Sequence, residues 1–409
     1  MANKKIVYII GTYPLLTTTF IDREIMRLKQ WGIDLQIFSI RRPPEDSPLS
    51  SFQYQLQKSV KYLLPLNIIK LISSQIYFAF SKPKKYFGTL FFLLSRPHPN
   101  VTTKIKTLLH FGEGIYFAYF LRKQKIYEIH AHFLDRAAVL ALVARRLLGV
   151  PYSISIHAGA DIYVHPVLIR EKLMEARKAV TCTRFNKKYL ESLVGNSVTE
   201  KISFIPHGLD ATRYNSEDKV NKELVILGVG QLKKRKGFLL LVEVCKMLSD
   251  HGYDFRCEII GEGPRREILQ EKISNYSLED KVFLCGALPH EEVLKRYQKA
   301  TLFVMPCMQT EDGDVDGIPN VLLEAMAIKI PVISTRVSAI PELIIDRKNG
   351  ILVSPNNQNE LFDAIINLLG SPGKRAELGE AGRQTVLSDF DIDKNVDKFV
   401  NTLWPELIQ

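Results

Sequence analysis

Asp316 and Glu324 are carboxylates eight positions apart in the stretch Asp316-Gly317-Ile318-Pro319-Asn320-Val321-Leu322-Leu323-Glu324-Ala325-Met326-Ala327. The polar, glycine-containing start and the apolar run after it predict a loop that opens a helix. Free backbone amides at Gly317, Ile318, Asn320 and Val321, with the positive end of the helix dipole, suit a diphosphate. Asp316 then lies in the loop and Glu324 about one turn inside the helix, so the two acids can address different parts of one ligand. The alternative is an acidic helix start plus a chance interior acid. A Glu between Leu323 and Ala325 is costly to bury without a ligand or partner, which favours the ligand.

A second chemical signal is Gly228-Val229-Gly230-Gln231-Leu232-Lys233-Lys234-Arg235-Lys236-Gly237-Phe238, at the end of an apolar run. A glycine such as Gly230 at a strand end lets phosphate approach closely, and Arg235 and Lys236 can neutralise a leaving diphosphate. A solvated basic turn is the bland alternative. His157 ends another apolar run and precedes Ala158-Gly159-Ala160, small residues that leave room for a ligand. A lone histidine there is otherwise a satisfied core residue. His130 and His132, two apart on a predicted strand, share a face with Glu128 and make the best metal-like constellation. No Asp-x-Asp pair stands at a strand end, since Asp312-Gly313-Asp314 is flanked by further acids on a loop. No metal and no cofactor are therefore expected; His132 should line a cleft and His130 should pack.

The elements that must position these residues alternate. Lys5 to Ile10, Ile33 to Ile40, Ile126 to Ala131, Tyr152 to His157, Ala179 to Thr183 and Ile202 to Ile205 read as strands with helical stretches between them. After a break near Pro206-His207-Gly208-Leu209-Asp210 and the polar stretch Asn215 to Lys222, the alternation restarts. Leu224 to Val229, Phe255 to Ile260, Val282 to Cys285, Leu302 to Met305, Val332 to Ser334 and Ile351 to Val353 form a second set. Near-continuous apolar runs are what buried parallel strands require. The fold class is α/β, with two doubly wound Rossmann-like domains, residues 1–207 and 208–387, facing a central cleft. Helical spacing at Val396, Phe399, Val400 and Leu403 assigns residues 388–409 to a helix returning to the first domain. A length of 409 residues suits two such domains.

The net charge of +11 is concentrated: residues 51–125 hold twelve Lys or Arg against one acid, Glu113. Bulky apolar residues interleave with them, as in Tyr86-Phe87-Gly88-Thr89-Leu90-Phe91-Phe92-Leu93-Leu94. That mixture suits the interface of an anionic membrane; a solvated basic face on core helices is the other reading. No nucleic-acid motif accompanies the charge. Five cysteines without paired spacing suggest a reducing compartment. The first apolar run is too short for a signal peptide, and Leu63 to Phe80 is interrupted by Pro65, Asn67 and Lys70. The expected location is cytoplasmic, peripheral on the inner face of the cytoplasmic membrane.

The acid pair resembles the acid-x7-acid motif of the family-4 retaining glycosyltransferases, which have the GT-B fold. In family order, Tyr13-Pro14 with Thr19-Phe20-Ile21 and Glu24, Ile129-His130-Ala131-His132-Phe133, Ser155 to Tyr163, Ile205 to Asp210, Ile260 to Pro264 and Pro331 to Ser334 are similar to further family motifs. The acidic run Glu311-Asp312-Gly313-Asp314 resembles bacterial exopolysaccharide members, including those of colanic-acid-type clusters. Two positions depart from the pattern. Asp316 stands where the family usually has Glu. Gln231 stands where it has Arg, so Lys233 or Arg235 would have to substitute, whereas Lys236 fits the family's lysine.

The resemblance implies a metal-independent hexosyl transfer from a nucleotide-sugar, a UDP- or GDP-sugar, with retention of configuration. Glu324 would hold the ribose, Lys236 and the helix amides the diphosphate, and Asp316 and His157 the sugar. The implied acceptor is a lipid-linked saccharide of an exopolysaccharide or O-antigen. Two other readings stay open: a sugar-nucleotide binder without turnover, to which Gln231 points, and a GT-B-type sugar-nucleotide epimerase acting without an acceptor.

Overall fold

The structure, a computed structural model, describes residues 4–45, 47–164, 166–214 and 223–407. The polar break predicted at Asn215 to Lys222 lies outside the described residues. The chain divides into two compact units, Met1–Ile205 with Val396–Gln409, and Pro206–Asn395.

The first unit is built on strands β1 (Ile6–Thr12), β2 (Leu35–Arg41), β3 (Lys61–Tyr62), β4 (Glu128–His132), β5 (Tyr152–Ile156), β6 (Lys178–Thr181) and β7 (Ile202–Phe204), in the order β3-β2-β1-β4-β5-β6-β7. All pairs are parallel. Strands β4 and β5 are buried throughout, although β4 carries Glu128, His130 and His132 and β5 carries Ser153 and Ser155. Strand order reverses between β1 and β4, so the carboxyl ends of those strands form the switch point where such sheets hold ligands. Tyr13, His132 and Phe133 lie there. Helix Arg136–Leu148 follows β4. It starts on the Asp135 side chain, which accepts from Ala137 N at 2.8 Å, and stops at Gly149 in a left-handed conformation.

Helices Ile68–Ser81, Pro83–Leu94 and Val101–Leu121 fill the span between β3 and β4 and pack on one another. Asn67 and Asn100 cap the first and third by accepting from Lys70 N and Thr103 N, and Pro83 starts the second. Their inward faces carry Phe78, Leu93, Phe111 and Ile115 together with Ser74, Thr89 and Thr107. Those three hydroxyls bond back to helix carbonyls. The outward faces are as apolar. Ile68, Ile72, Ile76 and Phe80 run at four-residue spacing, as do Phe87 and Phe91, and Val101, Ile105 and Leu109; Phe80 is 83% exposed and Phe91 74%. No helix among the described residues is long and apolar enough to cross a membrane.

The terminal helix Ile392–Leu403 joins the first unit from Val396 onward, while residues 388–395 lie with the second unit. Trp404 and Phe399 close over His130, with ring centroids 5.5 and 5.4 Å away. Lys4 Nζ donates to the Glu406 carbonyl at 2.9 Å.

The second unit is a six-stranded parallel sheet of β8 (Val225–Val229), β9 (Arg256–Ile260), β10 (Val282–Leu284), β11 (Leu302–Met305), β12 (Val332–Thr335) and β13 (Ile351–Val353), in the order β10-β9-β8-β11-β12-β13. Its reversal lies between β8 and β11. The loops leaving those two strands are the basic glycine turn and the acidic segment before helix Asn320–Ala327. Both sheets are thus of the doubly wound kind that the alternating pattern predicts. Strand β3, two residues long and partly polar, has no period from which to read it.

Candidate active site

At the end of β8 the chain passes through Gly230, whose N–H donates to Ile260 O at 2.9 Å, and Gln231, whose carbonyl accepts from Lys233 N. A short turn, Lys234–Lys236, ends at Gly237 with φ of 72°. A Cβ at Gly237 would lie 1.8 Å from the carbonyl oxygen of Pro306, so only glycine fits. This close approach clamps the basic turn against the segment that follows β11. Met308 N donates to Arg235 O at 2.9 Å in the same join.

The join brings together side chains some 80 positions apart. Lys236 Nζ lies 2.8 Å from Asp316 Oδ2. The Arg235 guanidinium spans two acids, with Nε 3.0 Å from Asp316 Oδ1 and a terminal nitrogen 2.5 Å from Asp314 Oδ2. Lys234 pairs with Glu311 at the rim. Burial alone would push the Asp316 carboxyl up, but Lys236 and Arg235 outweigh it and hold the group below its ordinary value. The neighbouring Cys307 thiol is pushed up to about 12, by burial first and by Asp316 second, and is a packing residue. Arg235 is therefore committed to carboxylates. Its presence beside Asp316 does not reproduce an arginine at position 231, where Gln231 stands.

Helix Asn320–Ala327 begins after Pro319, which supplies no side-chain acceptor to the first amides. Gly317, Ile318 and Val321 flank this start, and the side-chain oxygen of Asn320 lies 3.2 Å from His207 Nδ1. Glu324 is buried, at 3% exposure, within the second turn of the helix. Tyr297 Oη lies 3.3 Å from both Glu324 Oε2 and Val321 O, which share its one hydrogen. The interior acid thus has a protein partner, supplied by helix His290–Tyr297. Nothing in the spacing of Tyr297 singles it out, since an aromatic at a helix end reads as core.

The first unit holds His157 at the carboxyl end of β5, walled by Phe20 at 4.6 Å, Phe133 at 4.7 Å and a parallel His132 ring at 5.6 Å. Its Nε2 is 3.3 Å from His132 Nδ1. His132 Nε2 in turn faces Glu24 Oε1 at 3.5 Å, and Tyr8 Oη donates to that same oxygen at 2.6 Å. His130 is different. Both of its ring nitrogens lie 2.8 Å from serine hydroxyls, of Ser153 and Ser155, which makes it a satisfied core residue. Glu24, His130 and His132 lie close enough to share a cation, yet those serines already occupy the His130 nitrogens. Beside this group, Asp22 accepts from Tyr13 Oη and Gln53 Nε2, and burial pushes its carboxyl up to about 6. Tyr8, Asp22 and Gln53 carry no sequence signal beyond their places in a strand and two helices.

Two parallel Rossmann-like sheets, each with its loops at the strand-order reversal, define the GT-B class of glycosyltransferase architecture. Anabaena HepE, solved in complex with UDP-glucose, shares the fold with a TM-score of 0.73 at 15% identity, over 98% of this chain and 99% of that one. Residues 212–385 match the family described as Glycosyl transferases group 1 and form a domain of that kind. The chain is 39% identical over 164 residues to WcaL of Escherichia coli, a glycosyltransferase named for colanic acid biosynthesis, covering 40% of each. It is 33% identical over 194 residues to the amylovoran biosynthesis glycosyltransferase AmsK of Erwinia amylovora, covering 47% of this chain and 48% of AmsK. These alignments span less than half the length of the two relatives.

Proposed function

We propose that the protein is a retaining, metal-independent glycosyltransferase that moves a hexosyl group from a UDP- or GDP-sugar to a lipid-linked saccharide in exopolysaccharide or O-antigen assembly. The observation that carries the reading is the second unit's strand-end site. There Lys236 and Arg235 surround Asp316, beside an uncapped helix start with Glu324 one turn inside. HepE, of the same fold, is named with UDP-glucose bound, and WcaL and AmsK are named for exopolysaccharide synthesis.

In this reading Glu324 accepts from the ribose hydroxyls, with Tyr297 holding its carboxylate. The amides of Asn320 and Val321 and the Lys236 ammonium take the diphosphate. They supply the counter-charge that a divalent ion gives elsewhere. Asp316 and, from the first unit, His157 orient the sugar. The acceptor hydroxyl attacks the face that the nucleotide leaves, and the departing phosphate takes the proton. Catalysis then rests on positioning and on stabilising charge at the diphosphate. The outward apolar stripes of helices Ile68–Ser81, Pro83–Leu94 and Val101–Leu121, with their lysines, bring the enzyme to the inner face of the cytoplasmic membrane, where a lipid-linked acceptor resides.

The test is an assay of the purified protein with UDP- and GDP-hexoses and lipid-diphosphate-linked saccharides, with chelator present, the product's anomeric configuration being read by NMR. Transfer with the donor's configuration kept supports the reading. Inversion, or transfer only on adding a divalent ion, overturns it.

A further inference from the structure

Both oxygens of Asp316 are taken by cations of the basic turn, and the two cations are held differently. Oδ2 faces Lys236 Nζ at 2.8 Å, which is the one ion pair of Lys236 among the described residues. Oδ1 faces Arg235 Nε at 3.0 Å, and the same guanidinium reaches a second acid, Asp314 Oδ2, at 2.5 Å. Asp314 is itself fixed in place. Its carbonyl accepts from Thr310 N at 3.0 Å, and Gly313 N donates to Thr310 O at 2.9 Å, which closes a tight turn. The other Asp314 oxygen, Oδ1, is buried with no hydrogen bond among the described residues, so this carboxylate depends on Arg235.

Lys236 can leave Asp316 by rotating one flexible side chain, whereas Arg235 would have to abandon two acids at once. A diphosphate beside the start of helix Asn320–Ala327 carries more than one negative charge and competes with Asp316 for the lysine. Burial pushes the Asp316 carboxyl up, and Lys236 and then Arg235 outweigh it. With the lysine gone and no other cation in contact, a buried carboxylate next to a diphosphate would take up a proton and cease to be a plain acceptor. The other neighbours do not prevent this. Cys307 Sγ, 4.0 Å from Oδ2, is a neutral thiol, Asp314 is a further acid, and Lys233 is exposed on the turn.

We propose that Arg235, tethered by Asp314, is a positioning residue that keeps Asp316 paired and in place when Lys236 turns to the donor diphosphate, which frees Oδ2 to accept from a sugar hydroxyl. The donor part of this statement rests on the glycosyltransferase reading; the hold of Arg235 on Asp316 does not. Arg235 then is no substitute for an arginine at position 231, because its task is the acid and not the phosphate. The two oxygens of Asp316 have separate duties, Oδ1 for the protein and Oδ2 for the ligand.

The experiment is NMR on the full chain with ¹³C-labelled aspartate and ¹⁵N-labelled arginine. Asp316→Asn and Arg235→Lys assign the two signals. In the wild type, the Asp316 carboxyl is expected to titrate below the ordinary carboxylate range. The Arg235 guanidinium is expected to show separate resonances for its terminal nitrogens, as hindered rotation in a two-acid bridge requires, and to keep them with UDP or GDP bound. Lys236→Met stands in for the lysine drawn away. There Asp316 is expected to stay at or below its ordinary value, and adding Arg235→Met is expected to move it up by about one to three pH units. An Asp316 that rises as far in Lys236→Met alone as in the double variant overturns the proposal. So does a wild-type Asp316 titrating above the ordinary range, or a freely rotating wild-type Arg235, whether or not the variants fold. Because the pH titrations need no nucleotide, failure of the donor reading would show in the binding assay and would leave them as they are.

Discussion

Lys236 matters most at the scale of single residues, because it sits on the acid that the sequence singles out. Its ammonium is 2.8 Å from Asp316, and its side chain runs close to Gly230, where a Cβ would lie 3.5 Å from the lysine Cε. If it neutralises the leaving diphosphate, Lys236→Ala lowers kcat by roughly 10²- to 10³-fold, the usual loss for one charge-stabilising donor. Steady-state kinetics with donor and acceptor both varied checks this, and a kcat within a few-fold of wild type contradicts the role. The acid pair, the glycine turn and His157 stand out by type and spacing, and the fold brings the turn beside the first acid. Their partners do not stand out. Asp314 and Asp316 meet Arg235 across some 80 positions, and Tyr8 meets Glu24 and His132 across a strand and a helix. No local pattern encodes such meetings. The departure at Gln231 was legible, but the commitment of Arg235 to two carboxylates required the fold.

Elements divide along a similar line. Buried parallel strands announce themselves as apolar runs, so β1, β8 and β11 were readable to within a residue or two. The helices of residues 68–121 were not readable as to which face turns inward. An apolar stripe at four-residue spacing looks the same against a core as against solvent, and these helices carry such stripes on both sides while burying Ser74, Thr89 and Thr107. The turn at Gly237 belongs to this scale too, since it holds two loops of one sheet together. With φ of 72° and the Pro306 carbonyl 1.8 Å from any Cβ, Gly237→Ala should cost more than the roughly 1 kcal/mol typical of a strained Gly→Ala change. Thermal unfolding is expected to show a lower Tm, together with loss of nucleotide binding as the basic turn leaves Asp316. An unchanged Tm would mean that the turn is not clamped.

For the whole molecule, the charge is the property to explain, and nearly all of the excess lies on residues 51–125. Each lysine near an anionic surface contributes about 1 kcal/mol, and the attraction falls away within a Debye length. The protein should therefore sediment with vesicles containing anionic phospholipid, bind vesicles of neutral lipid much less, and be partly released by salt. Phe80→Ser with Phe91→Ser, both at exposed positions, should reduce sedimentation several-fold while leaving nucleotide binding intact. Equal sedimentation of wild type and double variant would remove the membrane role from these helices.

The central claim is that the second unit binds a nucleotide donor through Glu324 and the helix that carries it. Calorimetric titration of the purified protein with UDP, GDP and ADP, repeated on Glu324→Ala and with chelator present, tests it most directly. The account predicts that one of the nucleotides binds, that the binding survives chelation, and that it collapses in the variant. Binding by none of the three, or binding indifferent to Glu324, would contradict the donor site and the transfer activity with it.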